Sequence, residues 1–195
     1  RARRDFAAWR ERHVLRKDAA PALYVLRHTF SDGGEARSRL GFIALLGLYE
    51  STAHAVYRHE ATLEAPKADR TKLLEAIPAS LEPIFCVYPD AQGAIHTILQ
   101  EVAARVRPTE RAAIRDEALE LWAITEPGLI EHITRPLAST AVLIADGHHR
   151  YETALTYRNE LLADHPELAD KAAPRFILMY FCNISDEGLV ILPIH

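Results

Sequence analysis

Cysteine is nearly absent: Cys86 and Cys182 stand far apart and lie in no CxxC motif. That argues against a disulfide scaffold and against a cysteine-built zinc site, and it fits a reducing compartment. No apolar stretch approaches the roughly 20 residues that a membrane helix needs, and no signal peptide is visible, so a cytoplasmic protein is expected. Several catalytic and nucleotide-binding signatures are missing as well. There is no GxxxxGK[ST] phosphate loop, no GxGxxG dinucleotide fingerprint and no GxSxG nucleophile elbow. HExxH and HxH spacings are absent, so motif logic gives no support to a histidine zinc site. The formal net charge of −4 disfavours a general nucleic-acid-binding surface.

What is present is the profile of a soluble globular protein, with 49% apolar and 26% charged residues in a chain of 195. That length supports one real core, and residues 1–195 read as a single α+β domain. The first residue is Arg1 rather than Met, and the last, His195, follows directly on an apolar run. The expectation is the ordered part of a longer chain.

Along the chain, Arg1 to Leu15 reads as a basic helix whose charge is a solvated face. Ala22 to Phe30 and Arg39 to Leu48 read as strands that pair across the turn signal Ser31-Asp32-Gly33-Gly34. Ala53 to Arg58 reads as a short strand or a helix start. Pro66 stands where a helix could begin, with Lys67 to Ala76 following. Ile84 to Tyr88 is a strand closed by Pro89-Asp90. Ala94 to Val106 and Pro108 to Asp116 read as helical or mixed. Ala118 to Ile124 is strand-like, Pro127 to Ala138 helical, Thr140 to Ala145 a strand and Tyr151 to Ala163 a helix. Arg175 to Asn183 and Leu189 to Ile194 read as a strand pair joined at Asp186-Glu187-Gly188. Mixed helices and strands with hairpins argue against an all-parallel doubly wound sheet and favour an α+β fold, a mixed sheet with flanking helices.

Two stretches carry chemistry. In the first, the apolar run ending at Ala145 turns through Asp146-Gly147-His148-His149-Arg150 into a helix. Helix N-termini offer backbone N–H groups and a partial positive charge, so they attract anions. Gly147 permits a positive φ or a close backbone approach. Arg150 can grip a phosphate bidentately. Asp146 can cap the helix, orient a histidine or hold a divalent cation. In the second, His59, Glu60, Thr62, Lys67, Asp69 and Arg70 crowd a loop-to-helix entry. Lys67 and Arg70 share a helix face and could grip one anion. Glu60 is a candidate base. The plain alternative is a solvated helix start whose charges pair locally.

At Ile144 to Leu155 the sequence resembles an uncharacterised bacterial family, domain of unknown function family 1015. The resemblance extends to Pro21-Ala22-Leu23-Tyr24-Val25, to His59-Glu60-Ala61-Thr62 with Pro66-Lys67-Ala68-Asp69-Arg70, to Pro83-Ile84-Phe85 with Tyr88-Pro89-Asp90, and to Gly188 to Pro193 before His195. That family is distantly similar to the ParB-type partition proteins, sulfiredoxin and the free serine kinases. The resemblance implies a ParB/sulfiredoxin-like core in which a strand–turn–helix with a G-x-x-R loop binds nucleotide phosphate, here Gly147 and Arg150. The sulfiredoxin loop carries a cysteine after the glycine. This chain has His148 there, which speaks against sulfinic-acid repair.

By analogy with the free serine kinases, the expected activity is phosphoryl transfer from ATP or ADP to a hydroxyl substrate such as free serine, with Mg on the phosphates. In that reading Glu60, Asp146 and His148 are catalytic. Gly147, His149, Arg150, Lys67 and Arg70 hold the nucleotide, and Asp146 holds the metal. Two other classes compete. One is a nucleotide-binding regulatory protein of ParB-like type, which would need a basic face. The other is a metal-dependent hydrolase, which would bring His148 or His149 together with Asp146 and another ligand. The expected partner is a small molecule or nucleotide, with no nucleic acid and no membrane.

Overall fold

The computed structural model describes residues 1–60, 64–168 and 172–190, with side chains at all of these except 51 and 64–68. Among the described residues, an 8-stranded sheet forms the centre of the molecule. The chain opens with helix α1 (Ala2–Glu11), whose end at Glu11 falls short of the expected Leu15. Strands β1 (Leu23–Asp32) and β2 (Glu35–Gly47) then pair antiparallel from Tyr24↔Ile43 to Asp32↔Glu35. Their two-residue turn has φ of +60° at Gly33 and +89° at Gly34. Such turns match the right-handed twist of the strands they join, and glycine adopts positive φ without penalty.

After a 3-10 turn, Ser51–Ala53, come β3 (Val56–Tyr57) and α2 (Glu64–Ala76). The helix starts two residues ahead of Pro66, which therefore falls in the first turn, where the missing N–H costs nothing. Then follow β4 (Ile84–Tyr88), α3 (Ala94–Arg105), β5 (Glu110–Ile114), β6 (Glu117–Ile124), α4 (Pro127–Thr134), β7 (Val142–Asp146), α5 (His148–Asp164) and β8 (Phe176–Asn183).

The strand order is β3-β7-β4-β8-β2-β1-β6-β5. β3–β7 and β4–β8 are parallel pairs, and the other neighbours are antiparallel. This is the α+β mixed sheet that the helix and hairpin pattern implies. Alternation decides which side chains face the helices. Val25, Phe42, Ile144 and Met179 point to one face and are fully buried, in one cluster with Leu99 of α3, Ile133 of α4 and Tyr151 of α5. A smaller cluster of Val87, Tyr180 and Cys182 lies on the other face, beside Phe85 and Leu189.

Three readings change. Pro108 to Asp116, read as helical or mixed, holds β5. All five of its residues are exposed, so it shows no alternation, and its two alanines favour helix. It is an edge strand, held by antiparallel pairing with β6 from Glu110↔Leu121 to Ile114↔Glu117. The helix read from Pro127 to Ala138 gives way at Arg135 to a 3-10 turn containing Pro136, because proline cannot continue an α-helix. α5 begins at His148, three residues earlier than read. Leu189 and Val190 take no regular structure, and the rest of the expected final strand lies outside the described residues. No helix among the described residues is long and apolar enough to cross a membrane.

Two features fix where the Asp146–Arg150 turn sits. Phe85 of β4 pairs with Asp146, so the carboxyl end of β7 lies beside the segment that leads into β4, including Glu82 and Pro83. On α5, the Tyr151 hydroxyl donates to the Tyr49 carbonyl and accepts from the Tyr49 N–H, both at 3.0 Å. This anchors the first turn of α5 to the end of β2.

Candidate functional site

The turn from β7 into α5 passes through Gly147 at φ +101°. L-residues rarely adopt that backbone conformation. A Cβ built there would lie 2.9 Å from Arg150 Nη2 and 3.1 Å from its Cζ, so the guanidinium lies directly over the glycine. A cation at a helix N-terminus opposes the helix dipole. It is tolerated because acceptors surround it. Nη2 donates to Asp146 Oδ2 at 2.7 Å, Nη1 donates to the Pro83 carbonyl at 2.9 Å, and Glu82 Oε2 lies 3.3 Å from Nη1. The guanidinium is largely buried while both carboxylates are mostly solvent-exposed, at 74% for Asp146 and 64% for Glu82.

Helix α3 gives a comparison within the same chain. It too starts after a left-handed glycine, Gly93. There the Asp90 carboxylate accepts from the N–H groups of Ala94, Ile95 and His96 at 2.9–3.0 Å. The anion at α3 is built into the chain at short range. At α5 the equivalent place carries a cation held by carboxylates that solvent can reach.

Successive helical residues turn by about 100°, so His148 and Arg150 lie on roughly opposite flanks of α5. His148 faces the segment after β3 and is 1% exposed. The His59 N–H donates to its Nε2 at 3.4 Å, which leaves the ring proton on Nδ1. Nδ1 lies 3.1 Å from Glu60 Oε2, an ion-pair distance without hydrogen-bond angles. The His59 ring packs edge-on against it, with centroids 4.5 Å apart. Arg58 pairs with Glu152 at 3.1 Å and ties the same two segments together.

Burial pushes the His148 pKa below its ordinary value. Glu60, Asp146 and Glu152 pull the other way and His59 adds to the lowering, but desolvation dominates. The consequence for stability has a definite sign. Unfolded His148 takes up a proton near pH 6.5, while the folded ring resists it. The unfolded state therefore binds more protons below that pH. Stability should fall as pH drops through about 6.5 toward the lower folded value, then level off. His148→Gln should flatten this slope in urea unfolding between about pH 8 and about pH 5.5. Equal slopes in the two proteins would remove His148 as the source.

The candidate residues thus fall into two groups at one end of the sheet. Glu60 and His148 meet on one flank of α5. Asp146, Gly147 and Arg150 form the turn and the other flank, and Arg70 lines a pocket there together with Arg150. His149 is half-buried in the same helical turn. The side chain of Lys67 lies outside the described residues. Among the described residues no three His, Cys, Asp or Glu gather as a metal-holding group, so any metal at Asp146 would take its remaining ligands from substrate and water. Sequence reasoning missed Glu82 and the backbone role of His59. Glu82 lies far from Arg150 in sequence and carries no local signal.

Fold and site together define an α+β protein with a strand–turn–helix at which an arginine sits over a left-handed glycine. Over residues 1–195 the chain matches the family described as "Protein of unknown function (DUF1015)" and belongs to it. No curated protein and no solved structure matches the chain.

Proposed function

We propose that the Asp146–Arg150 turn binds the phosphate of a nucleotide, ATP or ADP, and that the protein transfers a phosphoryl group to a small hydroxyl substrate. One observation carries this reading. The Arg150 guanidinium is fixed over Gly147 at a helix N-terminus by exposed carboxylates that an incoming anion can displace. Arg150 then grips phosphate oxygens bidentately, and the helix dipole adds to the attraction. Arg70 and His149 supply further positive or donating groups toward the nucleotide, and Lys67 is a further candidate by its place in the sequence. The exposed Asp146 carboxylate, once released, suits a Mg ion shared with phosphate oxygens and water, which would neutralise charge on the transferring group.

Glu60 stands on the other flank of the same helical turn with its carboxylate half-exposed. In the proposed reaction it accepts the proton of the substrate hydroxyl as that oxygen bonds to phosphorus and the nucleotide leaves. His148 is too buried to touch substrate, so it positions Glu60 from behind. The choice of phosphoryl transfer among phosphate chemistries rests on the resemblance to the free serine kinases, which is an analogy of fold.

The test is calorimetry and thermal shift with ATP, ADP, CTP, Mg and free serine, on wild type and Arg150→Ala. Nucleotide binding should fall by at least about tenfold in the variant, the loss of a charge-assisted contact. A nucleotide that binds both proteins equally would sink the phosphate assignment. Binding without turnover in the presence of hydroxyl substrates would select the regulatory alternative.

A further inference from the structure

A pocket of about 120 Å³ opens beside the turn, between α2 and α5. Its walls are apolar: Leu73 and Leu74 of α2, Leu81 of the following loop, and Ile177 of β8. Ser80 and Thr153 also line it. Thr153 is 4% exposed, and its Oγ1, without a hydrogen-bond partner among the described residues, has almost no accessible surface and does not face the pocket. Charge is what breaks the apolar surface. Arg70 and Arg150 both border the pocket, and the Glu82 carboxylate, also on its wall, lies 3.3 Å from Arg150 Nη1.

We propose that this pocket binds a short, branched aliphatic carboxylic acid. The volume sets the size. It equals about four waters' share of liquid, a little below that of an apolar cavity known to take benzene, so it suits a branched chain of about four or five carbons. Leucine and isoleucine walls favour a hydrocarbon chain. The ligand's carboxylate takes the place that Glu82 fills beside Arg150, with Arg70 as second cation. Glu82 is exposed, so its departure costs little. The site shares Arg150 and Arg70 with the proposed nucleotide site but needs no nucleotide, and so it stands or falls separately from phosphoryl transfer.

The test uses isovalerate as probe, with acetate and 3-methylbutanol as controls and inorganic phosphate as an independent reporter of the turn. Isovalerate should bind wild type with a millimolar-range Kd, as expected for so small a ligand. Acetate, without the chain, and 3-methylbutanol, without the charge, should each bind at least about tenfold more weakly. Leu73→Trp fills the pocket and should abolish isovalerate binding while phosphate binding persists. Arg70→Ala removes the second cation and should weaken isovalerate by about threefold to tenfold. Circular dichroism checks that both variants fold. Isovalerate binding that survives in both folded variants, or that is undetectable in wild type, overturns the proposal. Isovalerate binding without any phosphate binding would leave this pocket standing and overturn the phosphate reading instead.

Discussion

In the phosphoryl transfer proposed above, Glu60→Gln is expected to lower turnover by about 10²- to 10⁴-fold, the range seen when a positioned general base is lost. The substitution preserves shape and leaves an oxygen facing His148 Nδ1, which lies 3.1 Å from the native Oε2. What it removes is the ability to accept a proton. The nucleotide KM should therefore hold while kcat falls. His148→Gln should behave differently. It leaves the carboxylate in place but removes the ring packed behind it and the acceptor for the His59 N–H. Its kcat should drop less, and the pH slope of its stability should flatten as argued for the buried ring. Steady-state kinetics with ATP, Mg and a hydroxy amino acid separate the two. A glutamine variant with wild-type kcat would remove Glu60 from the chemistry while leaving the phosphate site intact.

The sheet was legible where one strand face is buried. In β1 the buried Leu23 and Val25 alternate with half-buried neighbours, whereas β2 and β8 are buried in runs, Leu40 to Phe42 and Met179 to Asn183, and were legible from their apolar content instead. The Gly33-Gly34 turn was legible because its backbone conformation demands glycine. β5 was not, because all five of its residues are exposed and its stability comes from a partner strand rather than from its own pattern. The Asp146–Arg150 turn was readable as a strand-to-helix junction, since that depends on local sequence.

Its internal contacts were not readable. The local sequence shows an arginine beside two histidines, which suggests donors converging on one anion. In the structure the helix sends His148 and Arg150 to opposite flanks, and residues distant in sequence decide what each one meets. Pro83 and Glu82 reach Arg150 because β4 lies next to β7. His59 and Glu60 reach His148 because β3 lies on the other side of β7. Strand order, which no local pattern encodes, therefore sets the division of labour between the two flanks. The burial of His148 follows from the same placement. It turns a residue that looks like an exposed ligand into a neutral ring with a lowered pKa.

Gly147→Ala should affect stability and anion binding together, and Gly93→Ala should affect stability alone. Both glycines sit at the start of a helix in the left-handed region, at φ +101° and +65°. An alanine at either position bears a backbone cost, about 1–2 kcal/mol in the ordinary left-handed well and up to about 3 kcal/mol in a strained conformation. Against a typical total of about 5–15 kcal/mol, either loss is measurable by denaturant unfolding. The surroundings differ. A Cβ at Gly93 meets nothing within 4 Å, whereas one at Gly147 lies 2.9 Å from Arg150 Nη2. The backbone at Gly147 cannot yield without disturbing both β7 and α5, so the guanidinium must lift away. That shift lengthens its bonds to Asp146 and to the Pro83 carbonyl. An arginine displaced from the helix axis no longer adds to the dipole, so phosphate affinity should fall by about tenfold or more. The double variant Gly147→Ala/Arg150→Ala separates the causes, because with the guanidinium gone only the backbone strain remains. If Gly147→Ala binds phosphate as tightly as Gly93→Ala does, then Gly147 serves only the chain reversal, and the close approach of Arg150 plays no part in holding an anion.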